Sequence, residues 1–303
     1  MNHQTIIKTD FKFPNQTDVY KGKVRDVYKI GNDLLVMIAT DRISAFDIVL
    51  PDGIPDKGKI LTSMSCFWFE QTNSIIKNHL VSRIDNASLE ISKLLPEIDS
   101  EIAERSIIIK KAERIDIECI ARGYLTGSVW AEYRKTGTIN SQPFPDGLQE
   151  GFKFDEPLFT PTTKADSGHD EPLTIQELSD QIGNELTKRL KDSTINLYNH
   201  AEKIAGQKGI IIADTKLEFG FLDDELILID EILTPDSSRF WDKSGYEIGT
   251  SPPNFDKQFV RDWLVNIGWD KNPPAPNLPP EIVDSTRHRY LQAHYLLTGK
   301  ELL

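Results

Sequence analysis

Cysteine is almost absent: Cys66 and Cys119 are the only two in 303 residues. Two thiols in so long a chain build no disulfide framework, which suits a reducing cytoplasm, and no Cys or His pairs stand at zinc-binding spacing. Long apolar runs are missing too. The opening MNHQTIIKTDFKFPN holds no apolar stretch of signal-peptide length and nothing later approaches a membrane span, so a soluble cytosolic protein is expected. Basic charge is in deficit. The 35 Lys and Arg against 47 Asp and Glu leave a net charge of −12, the wrong balance for displacing counterions from nucleic acid. A few clustered cations can still make a locally positive cleft for a small anion. There is no G-x-S-x-G elbow and no cysteine beside a base, which leaves covalent hydrolase chemistry unsupported. His3, His79, His200, His288 and His294 have no sequence partners that suggest catalysis and are expected at the surface or in structural roles.

What is present is a real core. Hydrophobic residues make up 39% of the chain, enough for one large domain or two sharing a cleft. Residues 24–30 and 34–39 read as strands around Gly31-Asn32-Asp33, a hairpin turn. A polar loop from Asp41 to Lys57 precedes an apolar helix over residues 60–71. SIIIK (106–110) and residues 116–120 read as buried strands. The crossing between two lobes is expected within 111–119, giving an N-terminal, mainly antiparallel β lobe (1–115) and a C-terminal α/β lobe (116–303). Residues 141–173 lack a period and read as a long loop, a length often tied to function. Thr174 and Glu177 form a capping-box pair ahead of Ile175, Leu178, Ile182 and Leu186. A β-hairpin is expected over 209–233, and helices over 255–267 and 280–297.

GIIIADTKLEFGFLDDELILIDE (209–231) carries the most information. In an extended strand alternate side chains share a face. Positions 214, 216, 218 and 220 are Asp, Lys, Glu and Gly; positions 215, 217, 219 and 221 are Thr, Leu, Phe and Phe. One face is apolar and the other charged. With a three-residue turn at Asp223-Asp224-Glu225, Glu218 faces Asp230. Opposed carboxylates in a sheet have Cβ atoms about 5 Å apart and repel unless a cation sits between them; Mg²⁺ with nucleotide phosphates suits such oxygens. A two-residue turn shifts that register. The alternative reading makes Asp214, Lys216 and Glu218 the wet side of an amphipathic strand. The doubly apolar run 226–229 leading into Asp230 weighs against it, because a carboxylate ending a buried strand needs a partner.

Anion-binding candidates are spread more widely. In ECIARGYLTGSVWAEYRKTG (118–137), a helix over 129–135 with Ser128 as its N-cap would offer free N–H groups, with Arg122 and Gly127 beside it. A plain Ser cap with an unrelated Arg fits the same letters. Lys21-Gly22-Lys23-Val24-Arg25 places three cations around one glycine, but no G-x-G-x-x-G or G-x-x-x-x-G-K-[ST] occurs there, and a solvated strand end fits equally. Lys57-Gly58-Lys59 is similarly open. The 161–171 loop, PTTKADSGHDE, reads either as an acidic linker or as a lid over a polar substrate.

Together these stretches resemble one family, phosphoribosylaminoimidazole-succinocarboxamide synthase or SAICAR synthetase. GKVRDVY (22–28), ATDRISAFD (39–47), ECIARGYLTGS (118–128), PTTKADSGHDE (161–171), IADTKLEFG (212–220), DEILTPDSSRFW (230–241) and FDKQFVRDWL (255–264) occur in family order across nearly the whole chain. The resemblance implies an α+β, two-lobed fold related to ATP-grasp enzymes, with the nucleotide between the lobes. It implies a monomer or small homo-oligomer that joins L-aspartate to carboxyaminoimidazole ribonucleotide at the expense of ATP. By likeness, Lys21, Gly22, Lys23, Val24, Arg25 and Glu118 bind ATP, and Glu218 and Asp230 hold Mg²⁺. Arg122, Gly127, Ser128, Asp236, Ser238 and Arg239 bind the ribonucleotide. Asp41, Ser44, Lys164, His169 and Asp170 bind aspartate, and Asp214 and Lys216 join Glu218 and Asp230 in catalysis. A carboxylate becomes electrophilic only as an acyl phosphate, so such a site needs positioning and charge neutralisation more than a covalent nucleophile. A small-molecule kinase of the same broad fold and a nucleotide-sensing binding protein are the competing readings. The second predicts a missing carboxylate or Arg, and none is missing.

Overall fold

The computed structural model describes residues 5–93, 95, 97–164, 170–250, 252–255 and 257–302. The first part of the chain builds an antiparallel sheet. β1 (Gln16–Lys21), β2 (Arg25–Ile30) and β3 (Leu34–Ala39) follow as hairpins. Asp26, Tyr28 and Ile30 of β2 point inward, the alternation of a half-buried strand. The segment expected as a loop before the first helix instead holds a small hairpin, β4 (Arg42–Ala45) and β5 (Ile48–Gly53). Its turn runs through Phe46 and Asp47 at φ 52 and 65, left-handed conformations that neither residue signals in sequence as glycine would.

Helix α1 (Lys57–Thr72) matches the apolar run expected there. Beyond it lie β6 (Leu80–Arg83), the single-turn helices α2 (Leu89–Ser92) and α3 (Ser100–Ala103), and β7 (Ser106–Lys110). The first sheet is ordered β1-β2-β3-β7-β6. Although α1 belongs to the first third of the chain, Ile60, Leu61, Met64, Trp68 and Phe69 pack into the core of the second sheet.

That second sheet starts at β8 (Glu113–Arg114) and β9 (Ile117–Tyr124), which lead to α4 (Gly127–Thr136). The stretch expected as one long loop contains β10 (Thr138–Ile139), β11 (Gln142–Pro143), β12 (Lys153–Phe159) and β13 (Thr162–Thr163). Pro157 interrupts the strand pattern of β12, which pairs with β9 across a register shift, so no clean alternation marks it. α5 (Ile175–Ile182) opens on the expected capping box, Thr174 and Glu177 bonding reciprocally. α6 (Asn184–Gln207) then covers β14 (Ile210–Leu222), burying Leu190, Leu197, Tyr198 and Ala201.

β14 is the axis of the molecule, pairing with β9, with β15 (Glu225–Ile229), with β16 (Ser238–Asp242) and with β8. Its turn is shorter than expected. Leu222 pairs with Glu225, leaving only Asp223 and Asp224 in the turn, both at positive φ, as in the tight hairpin turns that follow sheet twist. Glu218 therefore lies opposite Ile229, not Asp230. α7 (Gln258–Asn266) seats Val260 and Leu264 against the β4–β5 hairpin. α8 (Pro280–Thr298) packs along α1 and α7 and ends at Gly299, φ 71. Among the described residues no helix is long and apolar enough to cross a membrane.

Candidate active site

A cavity of about 590 Å³ opens between the two sheets, a size suited to a nucleotide-sized ligand. One end is apolar, lined by Val27, Leu35, Met37, Ile109 and Ala112; beyond it the wall turns charged.

The charge comes from β14. Its alternation puts Asp214, Lys216 and Glu218 on one face as expected, but that face is not wet: Asp214 is 5% exposed and Glu218 3%. Strands lie on both sides of it, so each charge needs a partner inside the protein. Lys216 Nζ lies 2.5 Å from Glu118 Oε1 and 3.5 Å from Glu218 Oε1. Lys164, arriving just after β13, donates to the other oxygen of Glu218. Asp230 ends β15 at φ 63, a conformation that breaks strand alternation. The turn of the chain brings it onto the same cavity wall as Glu218 although the two do not face each other in the ladder. Arg25 grips Asp230 with two hydrogen bonds, 2.5 and 3.0 Å, and Glu231 with a third of 3.2 Å.

Electrostatics separates the two carboxylates. Burial works against the Asp230 anion, but Arg25, with Lys164 and Lys216 behind it, holds its pKa well below the usual range. Burial, with Asp230 nearby, pushes Glu218 upward against the pull of Lys216 and Lys164. Glu218 Oε1 has no hydrogen-bond partner among the described residues, Lys216 being at ion-pair distance only. A buried carboxylate oxygen left open beside a second carboxylate fits a divalent cation. The described residues gather no cluster of three His, Cys, Asp or Glu, so further ligands would come from phosphate or water, as Mg²⁺ prefers.

Two further clusters repeat one arrangement, two cations on one carboxylate. Asp214 stands opposite Arg122 on β9 and opposite Arg239 on β16 in the strand registers. Arg122 reaches it at 2.8 Å and Arg239 donates to the same oxygen. Arg122 also donates to Thr160 and, at 3.3 Å, to Ser128. Gly127 sits at φ 61 under the Arg239 guanidinium, where a Cβ would come within 2.4 Å of a guanidinium nitrogen. Ser128 is not the cap expected of it: α4 starts at Gly127, with Thr126 before it. Ser238 shares a 2.8 Å hydrogen bond with Thr215. In the second cluster, Asp236 accepts from Lys57 at 2.7 Å and from the Tyr290 hydroxyl at 2.8 Å, with Lys257 at 3.5 Å.

The sequence-predicted residues thus sort by place. Gly22, Lys23, Val24, Arg25, Ser44, Glu118, Lys164, Asp170, Lys216, Glu218, Asp230 and Asp236 line the cavity. Arg122, Gly127, Ser128, Asp214, Ser238 and Arg239 are off its wall, gathered around Asp214. Lys21 turns away, donating to Thr9, Asp26 and Tyr28. Asp41 is 0% exposed. Its oxygens accept from the Gly58 and Ile6 N–H groups and from Arg105, a structural role that leaves nothing for aspartate. His169 lies outside the described residues. Residues that sequence reasoning passed over also line the cavity: Asp47, paired with Lys23 at 2.5 Å; Glu231; Lys257; and His79. Burial pushes His79 down to about 4, and its Nε2 has no partner among the described residues. Glu231 adjoins Asp230, and Asp47 and Lys257 fall in the stretches 39–47 and 255–264 that carry the family resemblance.

The SAICAR synthetase family profile matches residues 18–276. Phosphoribosylaminoimidazole-succinocarboxamide synthase of Elusimicrobium minutum is 53% identical over 274 residues, covering 90% of this chain and 93% of its own. The enzyme of that name from Maridesulfovibrio salexigens is 46% identical over 299 residues, covering 98% of both. A solved SAICAR synthase from Saccharomyces cerevisiae, complexed with SAICAR, superposes with a TM-score of 0.88 at 41% identity, over 98% of this chain and 99% of that one.

Proposed function

The chain belongs to the SAICAR synthetase family, and from that premise we propose how its residues divide the work of one reaction. The protein is an ATP-dependent ligase of purine nucleotide synthesis, joining L-aspartate to carboxyaminoimidazole ribonucleotide with release of ADP and phosphate. The ribonucleotide carboxylate takes the γ-phosphoryl group. The aspartate nitrogen then bonds to the acyl carbon, loses a proton, and phosphate leaves with the former carboxylate oxygen.

The adenosine belongs in the apolar end of the cavity, among Val27, Leu35, Met37 and Ile109, with Glu118 at its margin. The triphosphate then extends toward Lys23 and Arg25. Glu218 and Asp230 would hold Mg²⁺, which would neutralise phosphate charge. Lys216, between Glu118 and Glu218, neutralises charge on the transferred phosphoryl group. The ribonucleotide lies toward Arg122, Ser128 and Arg239, whose two guanidinium groups outnumber the single carboxylate of Asp214. Lys164, Asp170 and Ser44 border the aspartate site. In this reading the chain divides into lobes at 1–115 and 116–303, with the nucleotide between them.

The observation that carries the reading is the open Glu218 oxygen, on the same cavity wall as Asp230 and at the charged end of an apolar slot. A coupled ADP-release assay tests it. ADP should appear only with ATP, ribonucleotide and aspartate together, other amino acids should fail, and Glu218→Gln should lower the rate on the order of 100-fold or more. Steady phosphorylated product without aspartate would mark a kinase, and full activity of Glu218→Gln would remove the proposed metal site.

A further inference from the structure

Lys57, Lys257 and Asp236 are all buried, and two lysines share one carboxylate. Asp236 is already satisfied: Lys57 holds Oδ2 at 2.7 Å and the Tyr290 hydroxyl holds Oδ1 at 2.8 Å. Lys257, 8% exposed, stands 3.5 Å from Oδ1 and its ammonium makes no hydrogen bond among the described residues. A buried ammonium without donor contacts is costly. Burial, with Lys57 and Arg261 close by, also lowers its pKa, with Asp236 and Glu231 pulling the other way. Folding alone gives no reason to keep such a charge, yet it faces the cavity.

We infer that Lys257 binds a carboxylate of the amino-acid substrate. This rests on the ligase reading above. In that reading Lys23 and Arg25 serve the triphosphate and Lys216 the transferred phosphoryl group; Lys164 pairs with Glu218, Arg114 with Asp116, and Lys110 follows Ile109 of the apolar slot. The ribonucleotide has its own surplus cation at Asp214. A dicarboxylate needs another, and Lys257 supplies it. Position agrees. α7 packs through Val260 and Leu264 on the β4–β5 hairpin, which carries Ser44 to the same cavity. Lys257, directly before α7, and Ser44 are thus brought to the cavity by two elements that pack on each other.

Lys257→Met should raise KM for aspartate about 10- to 100-fold, leaving KM for ATP and for the ribonucleotide within about twofold, with Lys257→Arg partly restoring it. Because Asp236 keeps Lys57 and Tyr290, Tm should hold or rise. A shift falling on the ribonucleotide's KM, a loss confined to kcat, or unchanged kinetics in Lys257→Met would each overturn the assignment. If Met at this site prevents folding, Lys257→Gln is read by the same KM comparison. Should the wild-type protein not consume aspartate at all, the ligase reading fails first, and the wild-type control separates the two failures.

Discussion

Lys216 is wedged between Glu118 and Glu218, and burial is outweighed by those two acids, which raise its pKa. It is therefore a fixed positive charge at any working pH. Lys216→Met should lower kcat about 100-fold while Tm moves little; unchanged turnover would refute its role. His294 offers a pH test away from the cavity. Its ring shares a 2.8 Å hydrogen bond with Ser63, and burial lowers its pKa from 6.5. The unfolded chain takes up a proton below 6.5 that the folded chain resists, so stability is lost as pH falls beneath that value. Tm measured from pH 7.5 to 5.5 should drop more for the wild type than for His294→Gln, and equal slopes would sink the point. At this scale the sequence was readable where charge alternated along one strand, as at Asp214, Lys216 and Glu218. It misled at Asp41, whose motif looks functional but whose oxygens hold the backbone and Arg105. It left Lys57 open and did not single out Lys257, because residues so far apart in the chain leave no local pattern of their pairing.

The hairpin β14–β15 turns on Asp223 and Asp224 at φ 49 and 62, where aspartate is tolerated and Asn-Gly is favoured. Replacing the pair by Asn-Gly should stabilise the fold by about 0.5–1 kcal/mol, seen as a higher urea midpoint; a lower one would mean those aspartates hold something else. Gly123 of β9 makes the opposite case. A Cβ there would lie 1.8 Å from the Tyr198 hydroxyl, which donates to the Ile212 carbonyl. Gly123→Ala should cost about 1–3 kcal/mol and less in a Tyr198→Phe background, by a double-mutant cycle in urea. Helices α1, α4, α5, α7 and α8 and the β2–β3 hairpin were legible from their periods and end signals, whereas α6, which starts directly after Gly183, was not read as a separate helix. The β4–β5 hairpin was not, since Phe46 and Asp47 adopt left-handed backbone without advertising it. Nor was the turn length after β14, where Glu225 reads equally as turn or strand and one residue decides what Glu218 faces.

Across the whole molecule the last helix joins the core of the second sheet to the β4–β5 hairpin. α8 buries Tyr290, Ala293 and Leu297 in the same core as α1 and the second sheet, and Ile282 beside the β4–β5 hairpin. Leu297→Ala should cost about 2–5 kcal/mol and speed hydrogen exchange in β3 and β14 together; acceleration confined to α8 and α1 would show that the sheets open independently. The net charge of −12 makes the cavity's cations stand out, and the grip of Arg25 on Asp230 gives them a gatekeeping effect. In the proposed reading, the carboxylate that would hold magnesium already accepts two hydrogen bonds from Arg25, so a bare cation would compete with a positive group for it. A triphosphate would offer Arg25 other oxygens to hold, and Asp230 would then be free to help hold the accompanying magnesium. Affinity for metal alone should be poor, and affinity for the metal–nucleotide pair far greater than its parts suggest.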